Sequence, residues 1–94
     1  MELNKIKIIK FDERGIIYDC GKSNFISRKK GTVSGDHTHD DPEIIYLVKG
    51  KVELTIGNET QMVEAPIMFK SDSHIYHKLV ALTDIEFVID RSEK

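Results

Sequence analysis

Apolar residues recur along the chain at a spacing of two far more often than at three or four, the period of strands that bury one face. The clearest stretch is KVELTIGNETQMV at 51–63, where Val52, Leu54 and Ile56 alternate with Lys51, Glu53 and Thr55. Gly57-Asn58 then supplies a two-residue hairpin turn. The return strand runs over 59–64 until Ala65-Pro66 ends it, because proline cannot donate to a sheet ladder. The same reading predicts further strands at 5–11, 15–20, 24–30, 44–48, 67–70, 75–82 and 85–90, separated by turn-forming residues at 12–14, 21–23, 49–50, 71–73 and 83–84. No stretch has a convincing helical period.

About nine short strands at nearly regular spacing, with no helix to cover a sheet face, must close into a barrel or stack as two sheets. The expected fold class is therefore all-β and antiparallel. A chain of 94 residues is expected to build one domain spanning 1–94, since it is too short for two cores. Its 39% hydrophobic and 32% charged residues can bury such a core and are too apolar for a disordered chain. Repeats, linkers and low-complexity tracts are absent from the sequence.

Charge narrows the partners. A formal net charge of −2 and a pI near 6.1 give no electrostatic reason to bind nucleic acid or an anionic membrane. The N-terminus MELNKIKIIKF interrupts its apolar residues with lysine, unlike a signal peptide, and no apolar run approaches 18 residues. A cytoplasmic location is expected. Cys20 has no second cysteine to pair with and reads as a small packed or half-exposed strand residue.

Candidate chemistry concentrates in GDHTHDDPEIIYLVKG at 35–50. Residues two apart on a strand project to one face, so His37 and His39 can address a single ion. Glu43 shares their parity, provided the Asp40-Asp41-Pro42 turn preserves the phase. Two imidazoles and a carboxylate are good ligands for a divalent transition metal, and a fourth must come from elsewhere. His77 is the best candidate, because His77, Leu79 and Ala81 continue one buried stripe in HIYHKLVAL. His74 falls on the opposite face and is expected at the rim, unless a bulge turns it inward in place of His77.

Gly31, five residues, His37, one residue, His39, three residues, Glu43, six residues and Gly50 resemble the first motif of the cupin family at every fixed position. Five such residue types at that spacing arise by chance at a given start on the order of once in a million or less. The second motif is partial: APIMFKSDSHIYHK keeps the apolar strand and His77, with Asp72 at the proline position and His74 at the glycine position. The resemblance covers 31–82 and implies a small antiparallel jelly-roll barrel with one metal inside. Carried over, the ligands are His37, His39, Glu43 and His77. The N-terminal strands over 1–30 lie outside the match.

The ligand set suits iron, manganese, nickel, copper, cobalt or zinc, so the expected cofactor is one divalent transition metal of unspecified identity. The resemblance implies two function classes. One is a metal-dependent enzyme, oxygenase or isomerase-like, acting on a small oxygen-rich molecule; the other is a binding or sensing module that captures such a ligand. A metal that only pins the barrel shut is the blander third reading. No catalytic residue beyond the ligands stands out.

Several neighbours have milder expectations. Asp36, Asp40 and Asp41 read as solvated turn residues, with a general base as the alternative role. Tyr46 and Tyr76 lie opposite the ligand face and are expected on the outer sheet or at a subunit interface. Arg28, Lys29 and Lys30 read as a solvated strand end, with neutralising a substrate carboxylate as the alternative. The cup is expected to be lined by residues such as Ile45, Leu47, Leu54, Ile56 and Phe69. The N-terminal strands KIKIIKF and GIIYDC carry apolar residues on both faces, which predicts a homodimer built through them.

Overall fold

The alternation in the sequence becomes ten β-strands in the computed structural model of the chain, which describes residues 1–38 and 40–90. They are β1 (Lys7–Asp12), β2 (Gly15–Asp19), β3 (Ser23–Arg28), β4 (Val33–His37), β5 (Glu43–Lys49), β6 (Lys51–Ile56), β7 (Glu59–Glu64), β8 (Ile67–Ser71), β9 (His77–Ala81) and β10 (Ile85–Asp90). Among the described residues there is no helix, and so none long and apolar enough to cross a membrane.

Two antiparallel sheets result. One has six strands in the order β1-β2-β3-β10-β5-β8, the other four in the order β4-β9-β6-β7. The insertion of β10 between β3 and β5, and of β9 between β4 and β6, is the crossing pattern of a jelly roll, as the all-β reading expects. The inward residues of both sheets, Leu47, Val52, Leu54, Leu79, Ile85 and Phe87 among them, interdigitate as the core. Burying side chains of this size contributes roughly 1.5–3 kcal/mol each, which makes this layer the main source of stability. Hydrophobic alternation therefore decides which face of each strand turns inward.

Nine strands fall within two residues of their expected bounds. The tenth, β4, was not expected, because Val-Ser-Gly-Asp-His has no apolar alternation. It is the edge strand of the smaller sheet, and its pairing with β9 steps from Ser34↔Leu79 to His37↔His77, one residue too many on β4. That bulge passes through Gly35 at φ +87° and Asp36 at φ +22°. At the corner between β5 and β6, Gly50 has φ +97°, and a Cβ there would lie 2.5 Å from the Asp84 carbonyl oxygen. Only glycine fits that corner.

Candidate metal centre

Four strand ends meet at one place. His37 is the last residue of β4, Glu43 the first of β5, Ser71 the last of β8 and His77 the first of β9. Register pairs them within each sheet, Glu43 with Ser71 and His37 with His77. The larger sheet thus contributes a carboxylate and a hydroxyl, and the smaller sheet two imidazoles.

Glu43 is 2% exposed and His77 4%, and their Oε1 and Nε2 atoms stand 3.6 Å apart. That is longer than a hydrogen bond and close to the separation of two ligands each about 2.0–2.2 Å from one ion. Ser71 Oγ lies 3.0 Å from His77 Nδ1, with both groups buried. When Nδ1–H donates to this hydroxyl, Nε2 presents its lone pair on the Glu43 side, the form a metal needs. The His37 ring meets the His77 ring edge-on, centroids 5.3 Å apart, from a more exposed position. Gly35 makes the room: a Cβ there would come within 2.8 Å of His77 Cδ2.

This donor set, two imidazoles and a buried carboxylate, fits a divalent transition metal. Among the described residues, no three His, Cys, Asp or Glu side chains are arranged tightly enough to hold an ion alone. His39 lies outside the described residues. Strand β4 is bulged before His37 and ends there.

The two histidines of the second segment separate clearly. His77 is buried beside Glu43, whereas His74 is exposed, has φ +64°, and sits 3.7 Å from the exposed Asp40 carboxylate. The alternative in which a bulge turns His74 inward in place of His77 is not adopted.

Asp36 and Tyr76 meet beside the site. The Tyr76 hydroxyl donates to the Asp36 carboxylate, tying together the residues that precede His77 and His37. This bond raises the phenol above its usual pKa, because the proton is held by the carboxylate. Tyr76 is half-buried beside buried His77, and its bond to exposed Asp36 lies at the surface. Tyr46 does lie exposed on the outer face of the larger sheet. Cys20 is exposed just beyond the end of β2.

The cavity beside Glu43 and His77 has a volume of about 230 Å³. Its apolar wall differs from the expected one: Ile45 belongs to it, with Ile26, Leu79, Phe87 and Ile89. Leu47 and Leu54 are buried in the core without lining this cavity, and Ile56 and Phe69 are partly buried against that core. Strand β3 contributes Ile26 and Arg28 to the wall, although no residue of it was among the expected lining.

Arg28 also lines the cavity, together with Arg14, so it is not a solvated strand end, although Lys29 and Lys30 are exposed. Parity with inward-facing Ile26 was the available signal. Arg28 Nε is buried without a hydrogen-bond partner, a position that costs roughly 1–3 kcal/mol for a polar group. Burial, then the charge of Arg14, holds the Arg28 guanidinium below its usual pKa, with Asp12 acting in the other direction. Arg14 and Ser71 were read only as turn residues. Ser71 shares inward parity with Phe69, which could have marked it; nothing local marks Arg14.

The family model described as Cupin domain matches residues 24–89. No protein of curated function matches the sequence significantly. Among solved structures, the chain is similar to the capsular polysaccharide assembling protein CapF from Staphylococcus aureus, at 17% identity and TM-score 0.78 over 98% of this chain. That match covers 29% of CapF, so the chain spans under a third of its length. An RmlC-like cupin from Shewanella frigidimarina is matched nearly end to end, at 19% identity and TM-score 0.69 over 90% of this chain and 91% of the other. Oxalate decarboxylase from Bacillus subtilis, with its Mn(II) centres, is similar at 19% identity and TM-score 0.71, over 95% of this chain and 28% of that one. At such identities the likeness is one of fold.

Proposed function

The chain belongs to the cupin family, and we propose that it binds one divalent transition metal through His37, His39, Glu43 and His77 and acts on a small oxygen-bearing molecule held beside it. The observation that carries this reading is the buried pair of Glu43 and His77 across 3.6 Å, with the His37 ring alongside. When bound, such an ion supplies Lewis-acid polarisation of an oxygen donor and, if redox-active, one-electron chemistry. The chain does the rest. Ser71 orients His77, Gly35 leaves space for its ring, and the Tyr76–Asp36 bond holds the two histidine segments in register. Ile45, Leu79, Phe87 and Ile89 keep water from the ligand's carbon skeleton.

An oxygenase or isomerase-like reaction fits this arrangement. Capture of a ligand without reaction is the second reading. It is favoured by one observation: among the described residues, the acids and bases lining the cavity are the proposed ligands and two arginines, with no separate general base.

Elemental analysis of protein purified without a metal-affinity tag tests the metal. We expect about one ion per chain, lost in His77→Ala and Glu43→Gln and bound roughly 10–100-fold more weakly in Ser71→Ala, the usual effect of removing a group that orients a ligand. Protons compete with metal for imidazole nitrogen, so retention should fall as pH drops below about 6.5. Full occupancy in His77→Ala, or at pH 5 in equilibrium dialysis, would rule the site out.

A homodimer is part of the same proposal. Ile8, Tyr18, Phe25, Val88, Tyr46 and Met68 are register partners in succession, an apolar row across all six strands of the larger sheet on the face turned away from the core. Ile8, Tyr46 and Met68 are exposed, as are Ile9 and Phe11 of β1. A second copy laid on this row would cover it under a two-fold axis, since the same row faces itself.

A further inference from the structure

The charged groups of the cavity fall into two sets. Glu43, His37 and His77 form one, at the strand ends described above; Arg14 and Arg28 form the other, contributed by the β1–β2 turn and by the end of β3. Apolar Ile26, Ile45, Phe87 and Ile89 complete the wall.

Like charges beside each other in a partly desolvated wall repel, so some other role must favour the placement. Arg14 is anchored, with Nη2 donating to the Val33 carbonyl at 2.6 Å. Arg28 is not: its Nη1 donates to its own neighbour, Ser27 O, at 3.2 Å, and its Nε–H is buried with no acceptor. Arg28 nevertheless lines the cavity, and a guanidinium held there by so little suits an anion, since a carboxylate can accept two parallel N–H bonds from its terminal nitrogens.

We propose that Arg28, supported by Arg14, binds the carboxylate of a small organic acid whose other end faces His37, Glu43 and His77. This rests on the reading of that cluster as a metal site. A carboxylate is favoured over phosphate because the remaining wall is aliphatic and aromatic, suited to a carbon skeleton joined directly to the charged group. At about 230 Å³ the cavity is smaller than the roughly 300–1,000 Å³ usual for drug-sized ligands. The part of the acid that enters is therefore small. Arg28 is a specificity residue in this scheme, and Arg14 a positioning residue that raises the local positive potential.

Calorimetric titration with 4-methylpentanoate and with benzoate, each beside its neutral amide, tests the proposal on EDTA-treated and on metal-loaded protein. We expect saturable carboxylate binding in both forms, no binding of the amides, and a loss of roughly 10- to 100-fold in Arg28→Gln, the range for hydrogen bonds to a charged group. Arg28→Lys keeps the charge without the fork and should recover only part of the loss. Arg28→Gln should melt no lower than wild type, because it removes a repelled, unsatisfied group; a structural arginine would show a lower melting temperature. Equal binding of acid and amide, unchanged binding in Arg28→Gln, no saturable binding of either acid, or tighter binding of inorganic phosphate would each overturn the assignment. The metal reading fails separately, through absent metal uptake while carboxylate binding to EDTA-treated protein still depends on Arg28.

Discussion

β1 and β10 lie in the same six-stranded sheet and carry similar proportions of apolar residues, yet they have opposite fates. In β10, Ile85, Phe87 and Ile89 are all buried, while Ile8, Ile9 and Phe11 of β1 are all exposed. The difference lies in what covers them. β10 is paired on both sides, between β3 and β5, and faces the smaller sheet; β1 is the outermost strand of a six-stranded sheet opposed by one of four. Alternation makes a strand, but a second layer is required to bury it. The same contrast explains the site, because the cavity lies where the covered part of the large sheet meets the bulged edge strand β4.

Two phenylalanines test this contrast with the largest expected difference. Phe87 is 2% exposed and Phe11 76%. Phe87→Ala should destabilise by about 3–5 kcal/mol in denaturant unfolding. Phe11→Ala should change the stability of the monomer by no more than about 0.5 kcal/mol, as surface substitutions do. If β1 packs against a second copy, Phe11→Ala should instead weaken the dimer in analytical ultracentrifugation. A wild-type monomer at micromolar concentration would remove the dimer altogether.

A smaller effect is expected at the bulge. Gly35→Ala places a Cβ within 2.8 Å of His77 Cδ2 at a φ of +87°, so it should cost about 1–3 kcal/mol of stability. The displaced His77 ring should also lower metal affinity. Loss of stability with metal affinity intact would show that Gly35 serves only the turn.

The smallest effect concerns pH and the β1–β2 turn. Asp12 accepts a hydrogen bond from the Arg14 backbone N–H, which lowers its pKa from the usual carboxylate range, with Lys10, Arg28 and Arg14 helping through their charges and desolvation opposing. A lowered folded-state pKa stabilises the protein above the unfolded value of about 3.9 and loses that contribution as pH falls through the folded one. Asp12→Asn should therefore lower the neutral plateau slightly and flatten the acid limb of the stability profile below about pH 4, where the two proteins converge. An unchanged acid limb would show that the turn forms without this bond.

Much of the fold was legible because period-two patterning needs only local sequence. Nine strands, the Gly57-Asn58 turn and the inward faces of β5, β6 and β9 followed from it. The burial of Glu43 and His77 was legible for the same reason, since each continues a buried stripe. Strand β4 was hidden because an edge strand that lines a cavity has no apolar face to display.

What the sequence determined by itself is nine of the ten strands, the inward face where apolar residues alternate, and the donor types grouped around His37 and His77, all consequences of short-range spacing. Tertiary structure alone decided which strands became neighbours, which apolar faces were left uncovered, that Ser71 meets His77, and that Arg14 and Arg28 line the same cavity as Glu43. Those contacts join residues far apart along the chain, and the closing of two unequal sheets on each other, which no local pattern encodes, brings them together.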